Sequence, residues 1–197
     1  MSTTLRTSWA SCWALLRSDT QRFCDAVSAT GVTPPKRRWK LLFTPEVAAL
    51  ALYRISHWAL HNGHTGLASF CYRLNITLTG ADIHPTTEIG PGCLIVHPVG
   101  TVLFGRFGEQ VTVYARVVVD GSELPPRLDR APRIGDRVVL GAMVSVLGPV
   151  SVAADVKIGP GSLIDFSIDE THRLVSRLPG EKTFTAPTHP AQESAVA

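Results

Sequence analysis

No stretch of this chain is apolar for long enough to cross a bilayer. The longest uninterrupted run, Val47 to Tyr53, falls far short of the roughly 20 residues a spanning helix needs. No export signal is expected either, because Arg17, Asp19 and Arg22 break the first apolar stripe where a leader would be continuous. Charge is thin, at 18% charged residues and a net +3, too weak and too scattered for a phosphate-backbone footprint. Neither nucleic acid nor a membrane is therefore expected as a partner. The four cysteines, Cys12, Cys24, Cys71 and Cys93, form no C-x-x-C and no zinc-ligand spacing. They read as small buried hydrophobes in a reducing compartment, so a cytoplasmic location is the expectation. His57, His61 and His64 share a helical interval, but His64 lies beyond Gly63 and no thiol or carboxylate completes a ligand set. They read as surface histidines, and no metal is expected.

What the chain does have is a period of six. Counting from Ile83, the positions Ile89, Ile95, Thr101, Phe107, Val113 and Val119 follow in phase. The count breaks and resumes at Ile134, Leu140, Val146, Val152, Ile158 and Ile164, so that only Thr101 interrupts an apolar series. Four residues after each lies a small or β-branched side chain, as at Thr87, Cys93, Val99, Val111, Val117, Val138, Val144, Val150 and Val156. A six-residue repeat predicts a parallel β-helix in which three hexapeptides close a triangular coil. Stacked coils bury each other's inner faces, since none can do so alone. A sandwich of hairpins would instead alternate with period two. The fifteen residues from Val119 to Ile134 exceed one repeat by about nine, which predicts a loop over 120–133 projecting from a corner.

Ahead of the prism the pattern is helical. Trp9, Trp13, Leu16, Phe23 and Val27 make an apolar stripe over residues 5–28. The segment Gly31 to Arg38 reads as a stiff basic linker. A second helix starts at Thr44-Pro45-Glu46, with Thr as cap and Pro at the first position, and stops near Asn62-Gly63. A third runs from Gly66 to about Leu78. The expected organisation is thus an α-helical region over 1–80, a β-helix over 81–168, and a C-terminal extension over 169–197 whose Thr-, Pro- and Ala-rich end reads as a disordered tail. The fold class is mainly β.

Two residues at the start of the prism carry candidate chemistry. Asp82 and His97 lie fifteen apart, which places them on successive coils of eighteen residues, offset by three positions. A carboxylate beside an imidazole fixes its tautomer and suits it to act as a general base. On spacing alone, an exposed His97-Pro98 corner without chemistry is an equal alternative.

The run Gly80-Ala81-Asp82-Ile83-His84-Pro85, then Ile89-Gly90-Pro91-Gly92, then His97 and Gly100, resembles the serine O-acetyltransferase family of left-handed β-helix acyltransferases. The similarity reaches back through Ala49 to Trp58 and forward to Gly161-Ser162, roughly residues 45 to 165. The resemblance implies a left-handed coil, His97 as general base, Asp82 as its orienting partner and acetyl-coenzyme A as co-substrate. It also implies Arg130 on the acceptor's carboxylate, and Gly121, Ser122, Ala142 and Lys157 at coenzyme-contacting positions, where small residues admit close approach and a cation suits phosphate. A homotrimer, or a dimer of trimers, follows in the same way. The chain departs from the family's pattern at Val96, where an aspartate is usual, and at Ala131, where a histidine is usual. No counterpart of the family's serine-binding aspartate stands in residues 30–45. The expected activity is therefore acetyl transfer to a hydroxyl of serine or a related small acceptor. The alternatives are a polysaccharide O-acetyltransferase and a catalytically degenerate scaffold.

Overall fold

The computed structural model describes residues 8–35, 37–121, 127–169 and 174–175. Among these residues three α-helices, α1 (Trp9–Ala29), α2 (Pro45–His61) and α3 (Thr65–Thr79), precede fourteen short strands. These are β1 (Asp82–Ile83), β2 (Glu88–Ile89), β3 (Leu94–Ile95), β4 (Val102–Leu103), β5 (Arg106–Phe107), β6 (Thr112–Val113), β7 (Val118–Asp120), β8 (Arg133–Ile134), β9 (Val139–Leu140), β10 (Ser145–Leu147), β11 (Ser151–Val152), β12 (Lys157–Ile158), β13 (Leu163–Ile164) and β14 (Leu174–Val175). The strands sort into three parallel sheets, β1-β4-β7-β10-β13, β2-β5-β8-β11 and β3-β6-β9-β12-β14. Each of the first four coils contributes one strand to each sheet, the arrangement that the hexapeptide period predicts for a parallel β-helix.

The core is the stack of inward side chains, from Ile83, Ile89 and Ile95 to Ile158 and Ile164, none more than 6% exposed. Each buried aliphatic is worth about 1.5–3 kcal/mol. Glycine follows the inward residue where coils approach most closely. A Cβ on Gly90 would stand 2.5 Å from the Gly108 carbonyl oxygen, and one on Gly135 2.6 Å from the Ala154 nitrogen.

Three readings of the repeat need correction. Thr101 is not an inward position with the wrong side chain. The inward residue is Leu103, and Thr101 occupies the buried small-residue site two places before it, as Thr87 does before Ile89. The cause is a corner enlarged by two residues: β4 begins eight positions after β3, and β5 only four after β4. Val99 is accordingly exposed rather than in the small-residue site. The repeat also continues past Ile164. Ile168 bridges Val152, and Leu174–Val175 pairs with Lys157–Ile158. The expected tail at 183–197 lies outside the described residues.

The loop between β7 and β8 leaves the stack in phase. Phe107 pairs with Ile134 and Val113 with Leu140, twenty-seven residues apart, whereas Ile134 pairs with Val152, eighteen apart.

The helices close the first coil. Ala49, Leu50 and Tyr53 on one face of α2 join the prism core, and the Tyr53 hydroxyl donates to the Thr87 carbonyl at 2.6 Å. A buried ion pair locks the joint: Arg54 Nε meets Asp19 Oδ2 at 3.0 Å. Arg54 Nη2 also donates to Gly90 O at 2.7 Å, and Asp19 Oδ1 accepts the Cys93 N–H at 2.9 Å. Burial pushes the Asp19 carboxyl upward against the pull of Arg54. The linker leads into a 3-10 turn, Arg38–Phe43, ahead of α2. Thr44 precedes α2 as expected, yet its hydroxyl donates back to the Leu41 carbonyl at 2.7 Å instead of capping the helix. Gly63 takes the left-handed conformation, φ +83°, that ends the helix. His57 is not a surface histidine. Its Nδ1–H donates to Pro85 O at 2.9 Å, and burial, aided by the neighbouring His61, lowers its pKa to about 4.

Among the described residues no helix is long and apolar enough to cross a membrane, and no group of three or more His, Cys, Asp or Glu side chains could hold a metal ion.

Candidate active site

The enlarged corner between β3 and β4 is what sets His97 apart. Other corners take a single left-handed residue, as at Gln110, Arg116, Arg137, Met143 and Asp155. This one takes two, His97 at φ +60° and Gly100 at φ +71°. Gly100 keeps the ordinary corner position: its N–H donates to Gly80 O at 2.9 Å, and a Cβ there would sit 3.3 Å from Arg116 Cγ on the next coil. His97 is therefore the extra residue, lifted off the prism. Its side chain is 74% exposed, and Nδ1 lies 3.9 Å from Glu46 Oε1 of α2.

Asp82 sits on β1, half-buried, and accepts a hydrogen bond from the Tyr72 hydroxyl of α3 at 2.7 Å. Desolvation and this carboxylate both push the Tyr72 phenol upward, so it stays a donor. Asp82 pairs with Val102, so the first coil spans twenty residues rather than eighteen. His97 stands five positions before that register partner, not three. Among the described residues, no hydrogen bond or ion pair joins His97 to Asp82. Next to them His84 accepts from Thr86 through Nδ1, with Tyr72 and Phe104 edge-on at 5.8 and 5.6 Å between ring centroids.

The remaining candidates fall into two groups. His97 and Ala142 share the prism edge that follows β3, β6, β9 and β12. Met143 N donates to Ala115 O at 2.9 Å and Gly161 N to Ala142 O at 2.8 Å, coil on coil along this edge. Rungs in such a ladder lie about 4.8 Å apart. Lys157 points outward from β12 beside the same edge and is exposed. Gly121 and Arg130 belong to a different edge, where the loop leaves β7. The buried Gly121 backs onto Arg130, whose carbonyl oxygen would stand 3.2 Å from a Cβ at 121. Ser122 lies outside the described residues. The chain thus presents His97 on one edge and Arg130 on another.

Reading the sequence missed Glu46, Tyr72 and the Asp19–Arg54 pair. Glu46 did leave a signal. It falls on the same face of α2 as Ala49, Leu50 and Tyr53, and a carboxylate on a core-facing stripe calls for a partner. Asp19 left the same signal, a charge inside the stripe of α1.

No family model matches the chain. A serine acetyltransferase of Helicobacter pylori is 37% identical over 133 residues, covering 66% of this chain and 77% of the relative. A serine acetyltransferase of Mycobacterium tuberculosis is 36% identical over 122 residues, 61% of this chain and 53% of the relative. Among solved structures, serine acetyltransferase isoform 3 of Entamoeba histolytica in complex with cysteine superposes with a TM-score of 0.72 at 26% identity, covering 91% of this chain and 63% of that one. A serine acetyltransferase in complex with CoA shares the fold, with a TM-score of 0.71 at 24% identity over 83% of this chain and 66% of that one. The chain thus spans between about half and three quarters of the relatives it matches.

Proposed function

The chain belongs to the serine acetyltransferase family, and on that premise we propose that it moves an acetyl group from acetyl-coenzyme A to the hydroxyl of serine or a closely related small acceptor. The observation that carries this reading is the enlarged corner that lifts His97 off the prism with a carboxylate on its Nδ1 side. His97 takes the hydroxyl proton as the acceptor oxygen attacks the thioester carbonyl. The new C–O bond forms, the C–S bond breaks as the tetrahedral adduct collapses, and the proton leaves with the thiolate. Asp82, at the same end of the prism, is the carboxylate that orients the imidazole in this reading. Arg130 is the cation for the acceptor's carboxylate, and Gly121, Ser122, Ala142 and Lys157 contact the coenzyme.

His97 and Ala142 lie on one edge of the prism and Gly121 and Arg130 on another, which supports a homotrimer in which the Arg130 edge of one subunit faces the His97 edge of the next. Sedimentation giving a monomer would remove the shared site.

The test follows thiol release from acetyl-coenzyme A with L-serine offered, comparing wild type with His97→Ala. A positioned base contributes about 10²–10⁴-fold, so release should fall by that factor while circular dichroism stays unchanged. Equal turnover by the variant would remove His97 as the base. Thiol release with homoserine or a sugar but not with serine would move the acceptor and keep the chemistry.

A further inference from the structure

The carboxylate proposed to orient His97 is itself held, by a tyrosine of the helical region. We infer, on the reading of His97 as the base and Asp82 as its partner, that Tyr72 of α3 is a positioning residue of the reaction. Its hydroxyl pins Asp82 through Oδ1 and leaves Oδ2 to the His97 corner.

The Tyr72 hydroxyl donates to Asp82 Oδ1 at 2.7 Å, short as a hydroxyl on a carboxylate is. Both ends of this bond are anchored. On α3 the buried Asn75 donates through Nδ2 to the Ala49 carbonyl of α2 at 3.0 Å. The Thr79 hydroxyl donates to Asn75 Oδ1 at 2.8 Å and accepts the Ala81 N–H at 3.2 Å, one residue before Asp82. Side-chain bonds therefore set how β1 leaves α3. The Tyr72 ring also packs edge-on against His84, and His84 against Phe104, with centroids 5.8 and 5.6 Å apart. These contacts restrict the swing of the phenol. The His97 corner is seated on the same joint. Its Gly100 N–H donates to Gly80 O at 2.9 Å, and a Cβ on Gly80 would stand 3.2 Å from Val99 Cα. Tyr72, Asp82 and the corner that carries His97 thus converge where α3 meets β1.

A carboxylate needs such a hold. Its terminal torsion is broad and two-fold, and Asp82 is only half-buried, so water competes for both oxygens. Desolvation and the carboxylate itself push the Tyr72 phenol upward, which keeps it a donor. With Oδ1 occupied, Oδ2 is the oxygen that can accept the imidazole N–H, and catalytic hydrogen bonds of this kind tighten when substrate binds. The proton taken by His97 never passes to Tyr72, whose hydroxyl acts on orientation alone.

The experiment is a double-mutant cycle on the full-length protein, following thiol release from acetyl-coenzyme A with L-serine in wild type, Tyr72→Phe, Asp82→Ala and the double variant. Tyr72→Phe keeps the ring on His84 and removes only the hydroxyl, so circular dichroism should not change. Its kcat should fall about 3- to 30-fold, a part of the contribution of a positioned base, with KM for acetyl-coenzyme A and for serine unchanged. In the Asp82→Ala background the same substitution should alter kcat by less than about twofold, since residues acting through one another are not additive. An equal loss in both backgrounds would make Tyr72 merely structural and overturn the inference. Wild-type kcat in Tyr72→Phe, with His97→Ala impaired, would overturn it too and leave the proposed function intact. Wild-type turnover in His97→Ala, or no thiol release by wild type with serine, homoserine or a sugar, would overturn both.

Discussion

The two ends of the prism are built to different standards of regularity. Just after the loop the count is constant: Ile134, Leu140 and Val146 each pair with the residue eighteen positions on, Val152, Ile158 and Ile164. Before the loop the count varies: Asp82 pairs twenty residues ahead with Val102, and Val102 only sixteen ahead with Val118. The two residues inserted at the His97 corner are removed again at the next one, so the register is restored by β5. Regular coils stabilise each other through nearest-neighbour packing. An irregular one needs support from outside, and here the helices supply it through Tyr53, Arg54 and Asp19. The difference teaches how a repeat fold carries an exception: the proposed site lies at the coil that departs from the repeat, held in place by something that is not a repeat.

The strongest way to break this comparison is to remove the outside support. Asp19→Ala leaves Arg54 buried and unpaired against the carbonyls of Ile89 and Gly90. Breaking a buried pair on one side costs about 3–5 kcal/mol, which for a chain of this size lowers the Tm by roughly 10 °C. Hydrogen exchange should locate the loss in the first coil and in α1 and α2, with β9 and β12 retaining their protection. Uniform loosening of all coils would show that the two ends are one cooperative unit.

A smaller effect is read with pH. His57 is held neutral by burial and by the proximity of His61, with a folded pKa of about 4 against 6.5 for the ordinary group. Below 6.5 the unfolded chain takes up a proton that the folded one refuses. Stability is therefore full above pH 6.5 and declines as pH falls toward 4, by up to about 3 kcal/mol. His57→Asn keeps a side-chain N–H near the position of Nδ1 for the Pro85 carbonyl and removes the titration. Its Tm should be flatter between pH 7 and 4.5 than that of wild type. Parallel curves would assign the acid sensitivity elsewhere.

The regular end of the prism was legible in the sequence almost residue by residue, because a six-residue period with one apolar and one small position per repeat has no other packed solution. The loop length was legible for the same reason, as the excess over one repeat. The irregular end was not. A two-residue insertion followed by a two-residue deletion leaves the hexapeptide phase intact on both sides, so the pattern reads through it, and Thr101 looked like a blemish instead of a shifted register. The placement of Asp82 and His97 shares that cause: their spacing of fifteen is set against a coil of eighteen, and this coil has twenty. His97 itself was found from its motif. Its neighbour Glu46 stands just over fifty residues away in sequence, and only the charge on an otherwise apolar face hints at it.

The finest test of the shifted register lies in Thr101 itself. Its side chain is wholly buried, and its hydroxyl oxygen finds no hydrogen-bond partner among the described residues. A buried unsatisfied hydroxyl costs on the order of 1–3 kcal/mol relative to a satisfied one, and valine has nearly the same shape. The same site is already valine at Val111, Val117, Val138 and Val144 on the other coils. If Thr101 occupies the corner position, Thr101→Val should raise stability by about 1 kcal/mol in urea denaturation, with turnover unchanged. If it were an inward position, as a count of six from Ile95 has it, valine would leave a void where its neighbours carry isoleucine and phenylalanine, and a larger residue would serve better. Thr101→Ile separates the two placements. At a corner it overpacks and destabilises by about 1–3 kcal/mol, whereas at an inward position it fills the rung and stabilises.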